Sequence, residues 1–453
     1  MSNRDLASKS ATPALGLVAC TALVVGNMIG SGVFLLPASL APFGPLAMVG
    51  WIVTSMGALV LATIFGRLSK IVTKPGGPYA YSQEAFGDFA GFLIAWGYWI
   101  ALWTGNAGVA VALVGYLGFL VPAIGESETY SIAAALIAIW TLTAINIRGV
   151  AEAGFVQIVT TFLKLVPLIM VGVLGLFWVQ MDNIGPMNPS GMPAFTAVSA
   201  AGALTLWAYL GLESATVPSG DVVDPAKTIP RATILGVIIA ACVYILVTFV
   251  CMGVMPPDQL GASAAPVADV AKVMFGTVGG LIVAVGAVIS TFGTLNGFTL
   301  LTGQVPYGAA LDKVFPQSLG KVSRYGTPAN AIVVSNTLAS LLIVLNFSQG
   351  LVSAFNFIVL LAVTASLLPY AFCAVAEVMI RLRGGHVMRG GELAKATILG
   401  LLGFVYSMWA LVGAGGDAVM LGIVLVLAGI PIHVWVRWKQ AKDAETEAEA
   451  EAA

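Results

Sequence analysis

Charge is scarce in this sequence: only 9% of its 453 residues are Asp, Glu, Lys or Arg, against about a quarter in a soluble globular chain. So few charges cannot solvate the surface of a water-soluble protein of this size. Histidine is scarcer still, with only His386 and His433. The four cysteines, Cys20, Cys242, Cys251 and Cys373, lie inside apolar runs. They have no metal-ligand or redox spacing and read as small apolar side chains. Nothing resembles a phosphate-cradling loop, which removes support for ATP-driven work. No basic stripe suggests nucleic acid, and no constellation suggests a catalytic centre, a metal or another cofactor. The expectation is therefore a protein that is not an enzyme. A cleavable signal pattern is lacking too, since residues 1–12 are polar and the apolar run that follows continues far past a signal h-region.

What is present is apolar length. Hydrophobic residues make up 59% of the chain, gathered into long runs between short polar connectors. A helix needs about 20 apolar residues to cross the hydrocarbon core. Backbone polar groups must be satisfied inside the lipid, so the runs are helices rather than strands. Twelve spans are expected, at 14–42, 46–66, 87–121, 130–147, 155–178, 194–217, 232–254, 268–305, 329–347, 351–380, 396–413 and 416–436. The third and eighth exceed a perpendicular crossing, so they should tilt or protrude. Of the twenty basic residues, all but Lys164 and Lys272 fall on the side that carries both termini. The positive-inside rule puts that side in the cytoplasm. The tail beyond Lys442, alternating Glu and Ala, reads as a solvated, frayed end.

Two runs are interrupted at their centres. The first holds Gly26-Asn27-Met28-Ile29-Gly30-Ser31-Gly32, then Pro37; the sixth holds Trp207-Ala208-Tyr209-Leu210-Gly211-Leu212-Glu213-Ser214, then Pro218. Such breaks survive in a membrane only where they line a cavity or are buried in protein. One reading is a pair of helix-packing sites, because small residues are common where membrane helices touch. The other follows from position. Spans one to five and six to ten form two blocks, and each opens with an interrupted helix. That is the pointer to an inverted repeat with a substrate site at its interface. Free N–H groups at a helix start suit a carboxylate, and unwound carbonyls suit an ammonium. An α-amino acid carries both.

Ionisable and polar groups inside the spans add candidates. Glu213 sits at the second break, where a carboxyl is costly and therefore a functional hypothesis, as a proton carrier or as a structural partner of the unwound backbone. Lys164, about ten residues into the fifth span, is too deep for easy snorkelling. Its ammonium could stand where a coupling sodium would. Tyr98 and Asn106, two turns apart in the third span, can face one cavity. Trp99 and Trp103, beside them, read as packing. Phe298 lies among small residues in Gly293-Thr294-Leu295-Asn296-Gly297-Phe298 and could present an open face or pack in the core.

At these motifs the chain resembles the amino acid, polyamine and organocation (APC) superfamily, and within it the bacterial arginine/agmatine antiporters. The likeness runs from about residue 15 to 435. It is most specific at Gly26 to Ala38, Pro75-Gly76-Gly77-Pro78-Tyr79-Ala80-Tyr81, Trp103-Thr104-Gly105-Asn106, Thr205 to Ala215 and Thr299-Leu300-Leu301-Thr302-Gly303-Gln304. The resemblance implies an all-α membrane fold of twelve helices. A 5+5 inverted repeat would comprise residues 14–178 and 194–382, flanked by a cytoplasmic segment 1–13, two peripheral helices in 395–438 and a tail 439–453. It also implies roles. Ser31 and Gly32 match residues that meet the substrate carboxylate, and backbone at Met28, Trp207 and Leu210 matches carbonyls that receive the amino group. Asn106 matches the contact to the distal guanidinium, with Ala101 and Leu102 nearby, and Trp207 closes over the substrate. Tyr98, Glu213 and Tyr370 match the cytoplasmic-side gate, with Glu213 proton-sensitive. Three positions depart from those antiporters: Phe298 stands for a tryptophan, Val109 for a methionine, and Lys164 for a small apolar residue. A lysine there resembles wider amino-acid carrier families, in which it replaces a sodium site.

The function expected is alternating-access exchange of arginine, or another cationic amino acid, for agmatine or a related amine. A sodium-independent carrier of neutral amino acids is the alternative, and a sensor or channel of the same fold is a third class. The expected partners are a small amino acid or amine, the lipid bilayer and, from the resemblance, a second copy in a homodimer. The expected location is the bacterial inner membrane.

Overall fold

The computed structural model describes residues 15–72, 76–149, 163–216 and 222–452. Among them every regular element is helical; the one β-type pairing is an isolated bridge between Leu15 and Val222. Ten helices are long and apolar enough to cross a membrane, and two shorter apolar helices accompany them.

In chain order the main helices are α1 (Leu17–Met28), α2 (Ser31–Leu40), α3 (Leu46–Leu68), α4 (Pro78–Phe86) and α5 (Asp88–Leu120). Next come α6 (Glu128–Arg148), the short α7 (Leu163–Trp178), the short α8 (Ala194–Trp207), α9 (Pro225–Val254) and α10 (Pro266–Leu311). The last five are α11 (Ala329–Asn346), α12 (Leu351–Arg383), α13 (Gly390–Gly413), α14 (Gly416–Leu427) and α15 (Gly429–Ala452). The first part of the expected fifth span, 155–162, lies outside the described residues, as does Pro218.

Two spans gain detail and one expectation is corrected. In the eighth span, α10 is broken at Gly276, whose φ of 72° is left-handed, so a short helix turns into a long one. The sixth span is interrupted at the glycine and polar cluster singled out in the sequence. Regular α geometry stops at Trp207, turns follow, and a single 3-10 turn spans Ser214–Thr216. The tail is not frayed, because α15 continues to Ala452; Ala and Glu are strong helix formers, and that propensity prevails over solvation.

α5 is the axis of the bundle. Its most apolar stretch is 94% buried, against 28–61% for the other nine spanning candidates. It packs on α2, α4, α10, α11 and α12. Helix ends and turns expected on one side of the membrane meet one another: Arg67 grips Glu377, Arg437 pairs with Asp88, Tyr79 donates to Asp312, and Thr327 donates to the carbonyl of Ile147. At the other end, Glu126, Ala264 and Phe347 line a single cavity of about 490 Å³.

α13, expected at the periphery, packs directly on α3 and on the interrupted helix α8. A methyl group added at Gly57 would collide with Tyr406, at Gly202 with Trp409, and at Gly413 with the carbonyl of Ser199. Glycine is required there for close approach rather than for backbone freedom.

Candidate functional site

The first interruption is local in origin. Ile29 ends α1 with ψ of 85°, Gly30 takes φ −124° and ψ −128°, and Ser31 starts α2 afresh. A new helix start leaves its leading N–H groups without intrahelical acceptors, and no side chain caps this one. The groups sit at a buried position, since Ser31 is 1% exposed. A Cβ at Gly32 would lie 2.9 Å from that of Ala208, so the start of α2 is pressed against the end of α8. In the second interruption Gly211 adopts φ 97°, the left-handed region open to glycine. The Tyr244 hydroxyl donates to the freed carbonyl of Ala208 at 2.8 Å. The two breaks thus face each other.

Trp207 bridges them. Its Nε1 donates to the Ser31 hydroxyl at 3.2 Å. The far edge of the same indole reaches α5, where a Cβ on Gly105 would meet it at 3.1 Å and the Phe298 ring at 2.9 Å. The Trp207 and Phe298 ring centres are 6.3 Å apart at 44°. Phe298 is buried in the hydrophobic core and faces the tryptophan of the second break. Asn106, one residue beyond Gly105, is wholly buried. Its amide nitrogen donates to Asn336 at 2.7 Å and to Thr299 at 3.2 Å. No donor among the described residues reaches its Oδ1.

Tyr98 and Asn106 do not share partners, although their spacing allowed one cavity. The Tyr98 hydroxyl donates to one carboxyl oxygen of Glu213 at 2.8 Å, and Tyr370 donates to the other at 2.8 Å. A buried carboxyl is thereby hydrogen-bonded on both oxygens. It ties α5 and α12 to the turn after α8. Lys164, 2% exposed, donates to the carbonyls of Gly26 at 2.7 Å and Ile29 at 2.9 Å. These carbonyls lose helical partners at the first break, and a buried ammonium needs acceptors. Met28, Ala101, Leu102 and Leu210 are all buried. The Met28 carbonyl accepts from Gly30, and that of Trp207 accepts from Leu210, which leaves each oxygen one further lone pair.

Sequence reasoning left Trp99 out, and its indole donates to Ser335 within an aromatic group that includes Trp96 and Phe315. It missed Asn336 and Thr143, which the structure connects to Asn106. The signal available was an asparagine inside an apolar run, which needs a partner in lipid.

Apolar helices of this length, two of them interrupted side by side around buried polar groups, define an integral, multi-pass α-helical membrane protein. A family model described as amino acid permease matches residues 15–435, and the chain belongs to that family, within the APC superfamily. It is 33% identical to the putative arginine/ornithine antiporter of Bacillus subtilis, over 93% of this chain and 97% of that protein. It is 33% identical to the cadaverine/lysine antiporter of Escherichia coli, over 89% and 91%. It is 30% identical to the putrescine transporter PotE of Escherichia coli, over 94% and 97%.

Proposed function

We propose that this chain is a secondary transporter that exchanges a cationic amino acid, arginine first, for agmatine or a related amine by alternating access. The observation that carries the reading is the arrangement of buried polar groups around Trp207, which joins the two breaks. At one end of the Trp207 indole lie Ser31 and the uncapped start of α2, suited to a carboxylate. At the other end lies Asn106 with an unused acceptor, suited to a distal cationic group. The names of the relatives support a cationic substrate, since arginine, ornithine, lysine, cadaverine and putrescine all appear in them.

On this reading Met28, Ser31, Gly32, Ala101, Leu102, Asn106, Trp207, Leu210 and Phe298 hold the substrate. Tyr98, Glu213 and Tyr370 form a gate, and Lys164 replaces a coupling sodium. The ten long and two short apolar helices support twelve crossings, with a 5+5 repeat opened by the two breaks. The basic residues support cytoplasmic termini, in a bacterial inner membrane; a homodimer rests on the family resemblance.

Counterflow in liposomes tests the function. Vesicles loaded with unlabelled arginine or agmatine should accumulate labelled arginine above equilibrium, whereas a channel only equilibrates. Accumulation driven by internal alanine or leucine, with none by arginine, moves the assignment to neutral amino acids.

A further inference from the structure

The open acceptor on Asn106 is the end of a chain of hydrogen bonds that runs outward through three other helices. Thr143 of α6 donates its hydroxyl proton to the carbonyl of Ile139 at 2.8 Å. A hydroxyl has one proton, so with that proton spent Thr143 can only accept. It accepts from the Asn336 amide nitrogen of α11, a contact of 2.6 Å. That orients the Asn336 side chain with its carbonyl oxygen toward α5, where it accepts from the Asn106 amide nitrogen at 2.7 Å. The same nitrogen reaches Thr299 of α10 at 3.2 Å. Both amides are thereby pointed one way, and Asn106 Oδ1 is left buried with no donor among the described residues.

The direction matters because an asparagine amide is nearly symmetric in shape and opposite in chemistry at its two ends. Turned over, Asn106 would present a donor and repel a guanidinium or ammonium. Thr143, Asn106 and Asn336 are each at most 2% exposed. Water therefore has little access to restore a wrongly turned amide. A buried carbonyl oxygen without a donor costs about 1–3 kcal/mol, a penalty that a ligand bearing a distal N–H group removes. Gly105, next to Asn106, lets the Trp207 and Phe298 rings come close to this stretch of α5.

We propose that Asn336 and Thr143 are positioning residues for specificity: they hold the Asn106 amide so that the site accepts only ligands with a hydrogen-bond donor at the end distal to the carboxylate. The inference rests on the substrate reading above and deepens it. Neither residue touches the ligand; each acts through Asn106.

The test is a selectivity ratio, the dissociation constant of L-norleucine over that of L-arginine, measured calorimetrically on the purified full chain. The wild type should favour arginine. Asn336→Leu should lower the ratio about tenfold. Thr143→Val, which keeps the shape and removes the acceptor, should lower it in the same direction, while Thr143→Ser should retain it. Asn106→Ala should lower the ratio at least as far as Asn336→Leu does, and adding Asn336→Leu to Asn106→Ala should change it no further. A purely structural role would weaken both ligands together and leave the ratio unchanged. That result in Thr143→Val, the mildest variant, overturns the relay and leaves the exchanger assignment standing. A wild type that does not distinguish the two ligands removes the assignment and the relay together.

Discussion

The indole nitrogen of Trp207 lies 3.2 Å from the hydroxyl of Ser31, joining two interrupted helices that are 176 positions apart in the chain. Neither helix can shift at its break without disturbing the other. Ser31→Leu places a branched side chain against both Trp207 and the leading N–H groups of α2. Arginine binding should fall below detection, while elution as a folded species and the thermal midpoint stay near wild type, because the side chain is at a break rather than in a packed helix middle. Unaltered affinity would assign the break to helix packing.

Lys164 donates to two carbonyls at the first interruption, those of Gly26 and Ile29. Uptake into liposomes should be the same in sodium, potassium and choline. Lys164→Met removes the donor that reaches Gly26 and Ile29. Two buried carbonyls then lose a charged partner at about 1–3 kcal/mol for each unsatisfied group, so the thermal midpoint should drop and transport should cease. Strict sodium dependence of the wild type would remove the cation-substitute role.

The ring of Phe298 faces Trp207 across Gly105. Cation–π attraction acts on arginine and not on alanine, so Phe298→Leu should weaken arginine more. Phe298→Trp should tighten arginine by up to about 1 kcal/mol. Equal effects on both amino acids would favour a neutral substrate.

Glu213 receives one tyrosine hydroxyl on each oxygen. An ionised carboxylate can only accept, whereas the protonated acid must place a proton on one oxygen. The oxygen that takes the proton becomes a poorer acceptor, so one of the two tyrosine bonds weakens, which loosens the tie between α5, α12 and the turn after α8. Turnover should therefore rise as pH falls, and Glu213→Gln, a neutral mimic, should flatten the profile. Binding measured over the same pH range separates this from titration of the substrate. A Glu213→Gln protein that keeps the full wild-type profile would place the proton sensor elsewhere.

Both interruptions are legible in the sequence because breaking a helix in lipid takes residues that stand out there: Gly30-Ser31-Gly32 in one case, Gly211 with Glu213 in the other. Lys164 is legible as a misplaced charge, though its acceptors, the carbonyls of Gly26 and Ile29, depend on how a distant helix packs. The break at Gly276 escapes notice because Gly276-Thr277-Val278-Gly279-Gly280 keeps the run apolar, and hydropathy does not register a change of φ. Asn336 and Thr143 escape for a different reason. Each is a single polar residue in an apolar helix, and its meaning lies in the direction of hydrogen bonds that no spacing encodes.

The glycine contacts between α13 and its neighbours α3 and α8 leave no slack for one surface to slide over another. Any swing of α8 about its interruption must take α13 along, as a lever is carried by its hub. The outer face of that lever, with Ile398, Leu401, Val405 and Val412, is exposed and apolar. If transport proceeds by the proposed alternating access, that face moves through acyl chains rather than water, and the viscosity and thickness of the bilayer act as drag on each stroke.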